Sequence, residues 1–280
     1  MNGVVLVNKE KFKTSRDMVN ELNHIFRTKK IGHTGTLDPI ATGVLVMCIG
    51  KYTKLVDLLS ALEKEYIAEI KLGTKTDTLD ITGNVLETCE VKKYEESFVN
   101  EVLQSFVGKF EQEIPIYSAK KINGKKLYEY ARNGEDISLP KNTVEIYNIE
   151  LLAYEKDIIK FKVRVSKGTY IRSLISSICE KLDTLGTMND LIRSKQGKYS
   201  IEESFTIDDI KNDKFRLLNV RELLDYQIYN LNDEEYFKVK NGSKISINSD
   251  EKNLIMIYND EEIAIYKKEN ELYRASVMLI

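Results

Sequence analysis

The most constraining feature of this chain is a twelve-residue loop, Gly32–Gly43, which reads GHTGTLDPIATG and leads directly into the apolar run Val44–Ile49. Glycine permits positive φ and proline fixes the next turn, so such a loop bends sharply. A buried strand formed by the apolar run would hold the loop on a rigid base. The single carboxylate of the loop, Asp38, would then either face a ligand or cap the element that follows.

Composition excludes several classes of protein. The 280 residues are 42% hydrophobic and 31% charged, as in ordinary globular proteins with a full core. Only a five-residue apolar run precedes the first charges, so the start is no signal peptide, and no apolar run is long enough to span a bilayer. With three distant cysteines and two histidines, we expect neither disulfides nor a zinc site, and a location in the reducing cytoplasm.

Charge is segregated along the chain, although its net value is only −2. Residues 1–60 and 160–200 carry net charges of +4 and +6, whereas residues 61–159 and 201–280 each carry −6. Two basic blocks of this kind can form a local positive surface on a mildly acidic protein. Within the acidic middle, the basic turn Lys120–Lys126 locally reverses the trend.

Apolar periodicity predicts helices and strands without regular β–α alternation, which indicates an α+β fold. Helices are predicted from a cap at Thr14 or Ser15 to about residue 29, and over 54–62, 98–106 and 170–182, the last with Thr169 as cap. Strands are predicted over 3–7, 44–49, 66–72, and as a hairpin over 147–154 and 158–165. Later residues form short β-like runs, at 244–247, 254–258, 263–266 and 272–278. We therefore expect a main domain over 1–230 and a small β domain over 231–280.

Four segments of the chain resemble the TruB family of bacterial-type tRNA pseudouridine synthases, in the family's order. They are GHTGTLDPIATGVL from Gly32, KEYIAEIKLGTKTDTLDITG from Lys64, IPIYSAKKINGKKLYEYARNG from Ile114 and KGTYIRSLI from Lys167. The resemblance runs from about residue 4 to about residue 199. It implies a mixed, largely antiparallel sheet with flanking helices, followed by a PUA-like domain.

The resemblance also implies the catalytic group. Asp38 would act as nucleophile or base while the C1′–N1 bond of a uridine breaks and the base is rejoined through C5. The sequence leaves open whether base or ribose is attacked first, and we favour a ribose-derived glycal with Asp38 removing the 2′ proton. Arg172 matches the family arginine that pairs with the aspartate, through two parallel hydrogen bonds. Neither a metal nor an organic cofactor is expected.

Further residues would bind the substrate. Tyr66, in the family pattern K-x-Y, would stack on the flipped uracil, and Tyr170 and Leu191 would line the same pocket. His33 would stack into the space that the extruded base leaves. The segment of about 110–140 would grip the RNA, with contacts expected from Lys121, Lys125, Lys126, Arg132 and, as a structural or RNA contact, Lys9.

Two departures from the family pattern fall near these residues. The family's lysine-proline pair followed by glycine is here Lys9-Glu10-Lys11, so this turn can differ. Lys120 replaces the leucine of the family's Tyr-Ser-Ala-Leu-Lys. Neither change touches Asp38, Tyr66 or Arg172.

Three other functions fit less well. A phosphate loop at Ile49–Thr53 is excluded, because position 45 is Leu where glycine is needed and position 52 is Tyr where Ser or Thr is needed. A non-catalytic RNA-remodelling protein would not need the complete catalytic set, and an RNA-guided enzyme fits poorly with the short N-terminus and the lack of long basic tails. We therefore expect a monomer that needs no protein partner or membrane and converts uridine 55 in the T-arm of tRNA.

Overall fold

The computed structural model describes all 280 residues, with seventeen strands and eight α-helices. The strands are β1 (Gly3–Lys9), β2 (Ile31–His33), β3 (Thr42–Ile49), β4 (Lys64–Leu72), β5 (Thr74–Thr76), β6 (Val85–Thr88), β7 (Gly108–Glu113), β8 (Lys121–Ile122), β9 (Lys125–Lys126), β10 (Lys141–Glu155), β11 (Ile158–Val165), β12 (Gly186–Gln196), β13 (Tyr199–Ser200), β14 (Gln227–Asn230), β15 (Asn253–Tyr258), β16 (Glu261–Glu269) and β17 (Leu272–Met278). The helices are α1 (Ser15–Ile25), α2 (Val56–Ser60), α3 (Glu96–Gln104), α4 (Leu127–Arg132), α5 (Ile171–Lys181), α6 (Ile207–Lys211), α7 (Val220–Leu223) and α8 (Asp233–Lys240).

Nine strands form one mixed sheet. Seven of them follow the order β1-β3-β12-β4-β11-β10-β7, while β2 pairs with β3 and β13 pairs with β12. Every pairing is antiparallel except that of β3 with β12. Helices α3 and α5 contribute apolar side chains to a core of 25 buried residues on one face of this sheet. The predicted α+β fold, with a largely antiparallel sheet and flanking helices, is confirmed.

The single parallel contact brings the loop Gly32–Gly43, called here the Asp38 loop, beside β12. Ile192 is paired with Thr42, and Arg193 with Gly43. Gly43 has φ +106°, and a Cβ there would lie 2.3 Å from the carbonyl oxygen of Arg193. Only glycine permits this backbone conformation and this approach. Gly43 therefore places the Asp38 loop next to the residues that β12 presents.

The C-terminal residues form a second sheet with the order β14-β15-β16-β17. Its first strand, Gln227–Asn230, precedes the boundary expected at residue 231. It belongs to this sheet because it pairs in parallel with Leu254–Ile257. One face of this sheet has its own core, and the other shares a buried cluster with β1 and β3 of the main sheet. The Tyr52 hydroxyl also donates to the buried carboxylate of Glu262 across this junction. The small β domain is thus packed firmly against the main one.

Several predicted elements differ from the structure in their ends, such as the first helix, which ends at Ile25 and not near residue 29, and the strand predicted over 147–154, which begins at Lys141. Three further predictions differ in kind. Of the predicted helix 54–62 only Val56–Ser60 is α-helical, after a 3₁₀ turn over Gly50–Leu55. Thr169 does not cap α5, because its hydroxyl donates to the carbonyl of Ser166 at 2.9 Å. The predicted strand 244–247 makes only one bridge, from Ile245 to Tyr273. None of the helices has both the length and the apolar character needed to cross a membrane.

Candidate active site

A cavity of about 580 Å³ opens where the Asp38 loop, β4, β12 and the start of α5 meet. It is lined by five residues that the sequence singled out, namely Asp38, Tyr66, Tyr170, Arg172 and Leu191. They come from four separate segments of the chain, which the sheet order brings together. The predicted sixth residue, His33, lines an adjoining cavity of about 610 Å³ that shares Thr36, Leu37, Asp38 and Tyr128 with the first.

Asp38 and Arg172 form a bidentate ion pair. The Nε of Arg172 donates to Oδ2 of Asp38 at 2.9 Å, and Nη2 donates to Oδ1 at 3.0 Å. The guanidinium also donates to the carbonyls of Thr78 and Tyr117, each at 2.9 Å. The Arg172 side chain is only 5% exposed, whereas that of Asp38 is 30% exposed. The carboxylate is therefore fixed in orientation by the buried guanidinium on one side, and its other side is open to a ligand.

Buried neighbours hold the Asp38 loop rigid. The Leu37 amide donates to the Ser15 hydroxyl at 2.9 Å, and the Ala41 amide donates to the Asp38 carbonyl at 3.0 Å. Leu37, Ala41 and Ile40 are buried in the core. Asp38 is consequently the polar tip of a loop whose apolar side chains are anchored on both sides.

Of the two roles expected for Lys9, a structural contact or an RNA contact, the structure supports the first and contradicts the second. Lys9 is fully buried, and its ammonium donates to the carbonyls of Glu10, Lys13 and Pro39 at 2.9, 2.6 and 3.2 Å. Burial lowers the pKa of Lys9 to about 8, although nearby Asp38 opposes the shift. A lysine enclosed by backbone carbonyls cannot reach a phosphate, so Lys9 ties the turn after β1 to the Asp38 loop.

Strand pairing and a hydrogen bond from the backbone of Tyr170 hold the apolar and aromatic walls of the cavity in place. Tyr66 lies on β4 opposite Arg193, and Leu191 lies on β12 opposite Ala68. The Tyr170 amide donates to the Gln112 side-chain oxygen at 2.7 Å. Burial raises the pKa of Tyr170, so its hydroxyl stays protonated at neutral pH and can donate a hydrogen bond.

Two cations in the cavity were not assigned a role by the sequence reasoning. The Lys64 ammonium donates to the carbonyls of Ser60 and Leu62, both at 2.6 Å, and burial lowers its pKa to about 8. Arg193 donates from Nε to the Val44 carbonyl at 2.7 Å, and burial lowers its pKa too. The hydrogen-bond acceptors of both cations are backbone carbonyls, and neither cation forms an ion pair with a carboxylate. The alternation of strands would have revealed both, since Lys64 precedes Tyr66 by two positions and Arg193 follows Leu191 by two.

The cavity is therefore electropositive apart from its catalytic candidate. Asp38 is the only acidic residue in its lining, and the basic residues Lys64, Lys120, Arg172 and Arg193 surround it. Unpaired buried cations create a positive potential that attracts an anionic ligand. The chain has no cluster of His, Cys, Asp and Glu side chains arranged to hold a metal ion.

The basic segment expected to grip RNA overhangs this site. Its hairpin β8–β9 leads into α4, and Lys126 and Tyr128 line the second cavity together with His33. Lys125 pairs with Glu135 at 2.5 Å, while Lys121 is exposed. The Lys126 ammonium and the Arg132 guanidinium lie 5.3 Å from the centre of the Tyr128 ring. Burial lowers the pKa of His33, which is therefore neutral at pH 7.

Comparison with known proteins agrees with this geometry. Residues 23–171 match the family model for the N-terminal domain of TruB family pseudouridylate synthases. The chain is 40% identical over 95% of its length to tRNA pseudouridine synthase B of Caldanaerobacter subterraneus subsp. tengcongensis, covering 94% of that protein. It is 41% identical over 96% of its length to tRNA pseudouridine synthase B of Clostridium tetani, covering 93% of it.

Solved structures show the same fold. A Cbf5-Nop10-Gar1 complex matches 99% of this chain with a TM-score of 0.72 and 22% identity, over 85% of the compared chain. The archaeal box H/ACA Nop10-Cbf5 complex matches 99% of it with a TM-score of 0.70 and 21% identity, over 86% of the compared chain. The chain therefore belongs to the TruB family and is an RNA pseudouridine synthase, an isomerase.

Proposed function

We propose that this enzyme isomerises the T-loop uridine at position 55 of tRNA, with Asp38 as its catalytic group. The observation that carries the proposal is a single, partly exposed carboxylate, held by the buried Arg172 in an otherwise cationic cavity. The relatives named tRNA pseudouridine synthase B support tRNA as the substrate, because the match covers nearly the whole of each chain.

The reaction needs a base that approaches the ribose. Asp38 removes the 2′ proton, the C1′–N1 bond breaks, and the uracil leaves as an anion beside a C1′–C2′ double bond. After the base turns, C5 bonds to C1′ and the 2′ proton returns. Loss of the C5 proton and protonation of N1 then complete the isomerisation without an oxidant or reductant. The unpaired cations Lys64 and Arg193 would stabilise the negative charge of the detached uracil.

The shape of the site supports base flipping. Tyr66 and Leu191 are 8% and 4% exposed, so a base that remained stacked in the RNA could not touch them. A uridine rotated out of its stack could enter and lie against the Tyr66 ring. The neutral His33 in the adjoining cavity would then occupy the space that the base has left.

The wild-type enzyme is expected to release tritium from a T-arm hairpin labelled at C5 of uridine 55, because formation of the C1′–C5 bond expels the C5 proton. A matched hairpin carries cytidine at position 55 and the label on another loop uridine, and should release none. Equal release from both hairpins would refute the assigned position. Binding of the first hairpin without release would favour the second candidate, a non-catalytic RNA-remodelling protein whose basic overhang grips the T-arm.

The overhanging segment of about 110–140 would supply phosphate contacts. Replacing both Lys125 and Lys126 by Ala should weaken T-arm binding and flatten the plot of log affinity against log salt by about one unit per lost contact. The matched control replaces Lys92 and Lys93 by Ala, because Lys92 also holds a surface ion pair, with Asp183. Asp183, the partner of Lys92, follows the C-terminal end of α5, whereas Arg172 lies at its N-terminal end. The length of this helix separates the two by about 15 Å. An unchanged slope in the first variant would remove Lys125 and Lys126 from the interface.

We further propose that the enzyme acts as a monomer in the cytoplasm, without a guide RNA or an obligate protein partner. One chain supplies all five predicted residues that line the first cavity, namely Asp38, Tyr66, Tyr170, Arg172 and Leu191. Its three cysteines are free thiols, which suits a reducing compartment. For the C-terminal sheet we propose a PUA-like module that is fixed to the catalytic domain.

A further inference from the structure

An exposed aromatic ring stands beside the Asp38 loop without an apolar packing partner, and the Lys11 ammonium lies 5.9 Å from its centre. Phe12 is 69% exposed and belongs to none of the four apolar clusters of the fold. Its backbone has φ +65°, in the left-handed region that bulky side chains rarely adopt. Neither the ring nor the backbone conformation of Phe12 is therefore explained by packing within the chain.

The backbone of Phe12 is nevertheless held firmly. Its amide donates to the carbonyl of Pro39 at 2.7 Å, one residue from the catalytic candidate. The buried Lys9 clamps the same turn, because its ammonium binds the carbonyls of Glu10, Lys13 and Pro39. The ring is consequently presented at a fixed position relative to the Asp38 loop.

A second anchor joins this turn to strand β12. The Lys11 ammonium binds the Asp190 carboxylate at 2.7 Å, and Asp190 is adjacent to the cavity residue Leu191. The turn is therefore tied to both the Asp38 loop and β12, two of the elements that meet at the cavity, and so lies near the rim of the site. RNA that delivers a base to Asp38 has to pass close to this rim.

The charge around the ring identifies the kind of partner. Lys11, Lys13 and Arg16 are exposed within four residues of Phe12, and neither Lys13 nor Arg16 forms an ion pair. Exposed aromatic rings bordered by cations are typical of surfaces that bind single-stranded nucleic acid, since bases stack on the ring while phosphates meet the cations.

We propose that Phe12 is a stacking platform for an unpaired base of the RNA, next to the uridine that enters the Asp38 cavity. This inference rests on the proposed function. The left-handed backbone, tied to Pro39, holds the exposed ring beside the Asp38 loop, and the ring would hold the RNA loop in register while the target uridine is flipped. Phe12 would therefore position the substrate without touching the reacting atoms.

The test replaces Phe12 by Gly, which removes the ring and suits the left-handed backbone. We expect KM for the T-arm hairpin to rise about tenfold with little change in kcat, as loss of one stacked base predicts. The midpoint of thermal unfolding should be equal to or higher than that of the wild type, because glycine relieves the backbone. Phe12→Trp, which keeps an aromatic ring at this position, should leave KM at the wild-type value. The matched control Phe98→Ala, which changes another partly exposed phenylalanine, should leave KM unchanged.

Hairpins with one abasic position each then identify the stacked base. At that position the wild type and Phe12→Gly should bind equally, whereas at the other loop positions the difference should persist. An unchanged KM in Phe12→Gly, with an active wild type, would overturn this inference alone. A raised KM together with a lower unfolding midpoint would assign Phe12 to the fold and also overturn it. An inactive wild type would instead contradict the proposed function.

Discussion

Asp38→Asn is expected to lower kcat for tritium release by about 10⁴-fold, because an amide of nearly the same shape can act neither as base nor as nucleophile. The amide oxygen can still accept one hydrogen bond from Arg172, but the amide nitrogen then faces a second donor. Since the side chain is 30% exposed, water can satisfy the bond that is lost. The affinity for the T-arm hairpin should therefore change by no more than about threefold, since no phosphate contact is removed.

Single-turnover tritium release and equilibrium binding, measured on the same preparations, separate these two effects. Asp157→Asn is a matched control, because Asp157 also pairs with a cation, Lys71, and its side chain is 35% exposed. It lies in the turn between β10 and β11 and should retain full activity. If Asp38→Asn lost binding and activity in parallel, Asp38 would be a structural residue of the loop and not the catalytic group.

The parts of the site that could be predicted are those that lie within one motif. Asp38 stands out because it is the only carboxylate in a loop of glycines and threonines, and Arg172 lies in the Gly-Thr-Tyr-Ile-Arg stretch. The bonds from Arg172 to the carbonyls of Thr78 and Tyr117 could not be foreseen, because backbone acceptors leave no mark on residue identity. They depend on how loops from distant segments meet above the sheet.

The buried cations show a different limit of sequence reasoning. The sequence leaves either a structural or an RNA contact open for Lys9, because exposed lysines greatly outnumber buried ones, and only the fold shows that three carbonyls enclose its ammonium. Lys64 and Arg193 are separated by 129 positions, but the pairing of β4 with β12 places them in one cavity. Strand alternation predicts the face on which each lies, whereas the strand order that brings the faces together requires the tertiary structure.

The small domain illustrates the effect of tertiary pairing on boundaries. Gln227–Asn230 is too short and too polar to be recognised as a strand, and it acquires that structure by pairing with Leu254–Ile257. The run 244–247 is the opposite case, because its sequence predicts a strand but it makes only one β-bridge, from Ile245 to Tyr273. Local propensity describes the residue, whereas a strand exists only where a neighbouring edge accepts its hydrogen bonds.

Arg172→Lys is expected to destabilise the fold as well as the site. The guanidinium serves Asp38 and two carbonyls at once, whereas an ammonium cannot reach all three in the same geometry. Leaving these partly buried carbonyls and the Asp38 carboxylate poorly paired beside a buried cation should lower the free energy of unfolding by about 2–4 kcal/mol. Urea unfolding measures this loss. Arg164→Lys, at a surface pair with Glu63, is the control and should change stability by less than about 0.5 kcal/mol.

The double variant with Asp38→Asn separates the two roles of Arg172. If Arg172 acts on catalysis only through Asp38, adding Arg172→Lys to Asp38→Asn should cause almost no further loss of kcat, because the group that it orients is already inactive. The loss of stability should remain, because Thr78 and Tyr117 still lack a donor. A further fall in kcat of tenfold or more would show that Arg172 also acts directly on the substrate. Full stability in Arg172→Lys would show that the two carbonyls find other donors, and that Arg172 serves the carboxylate alone.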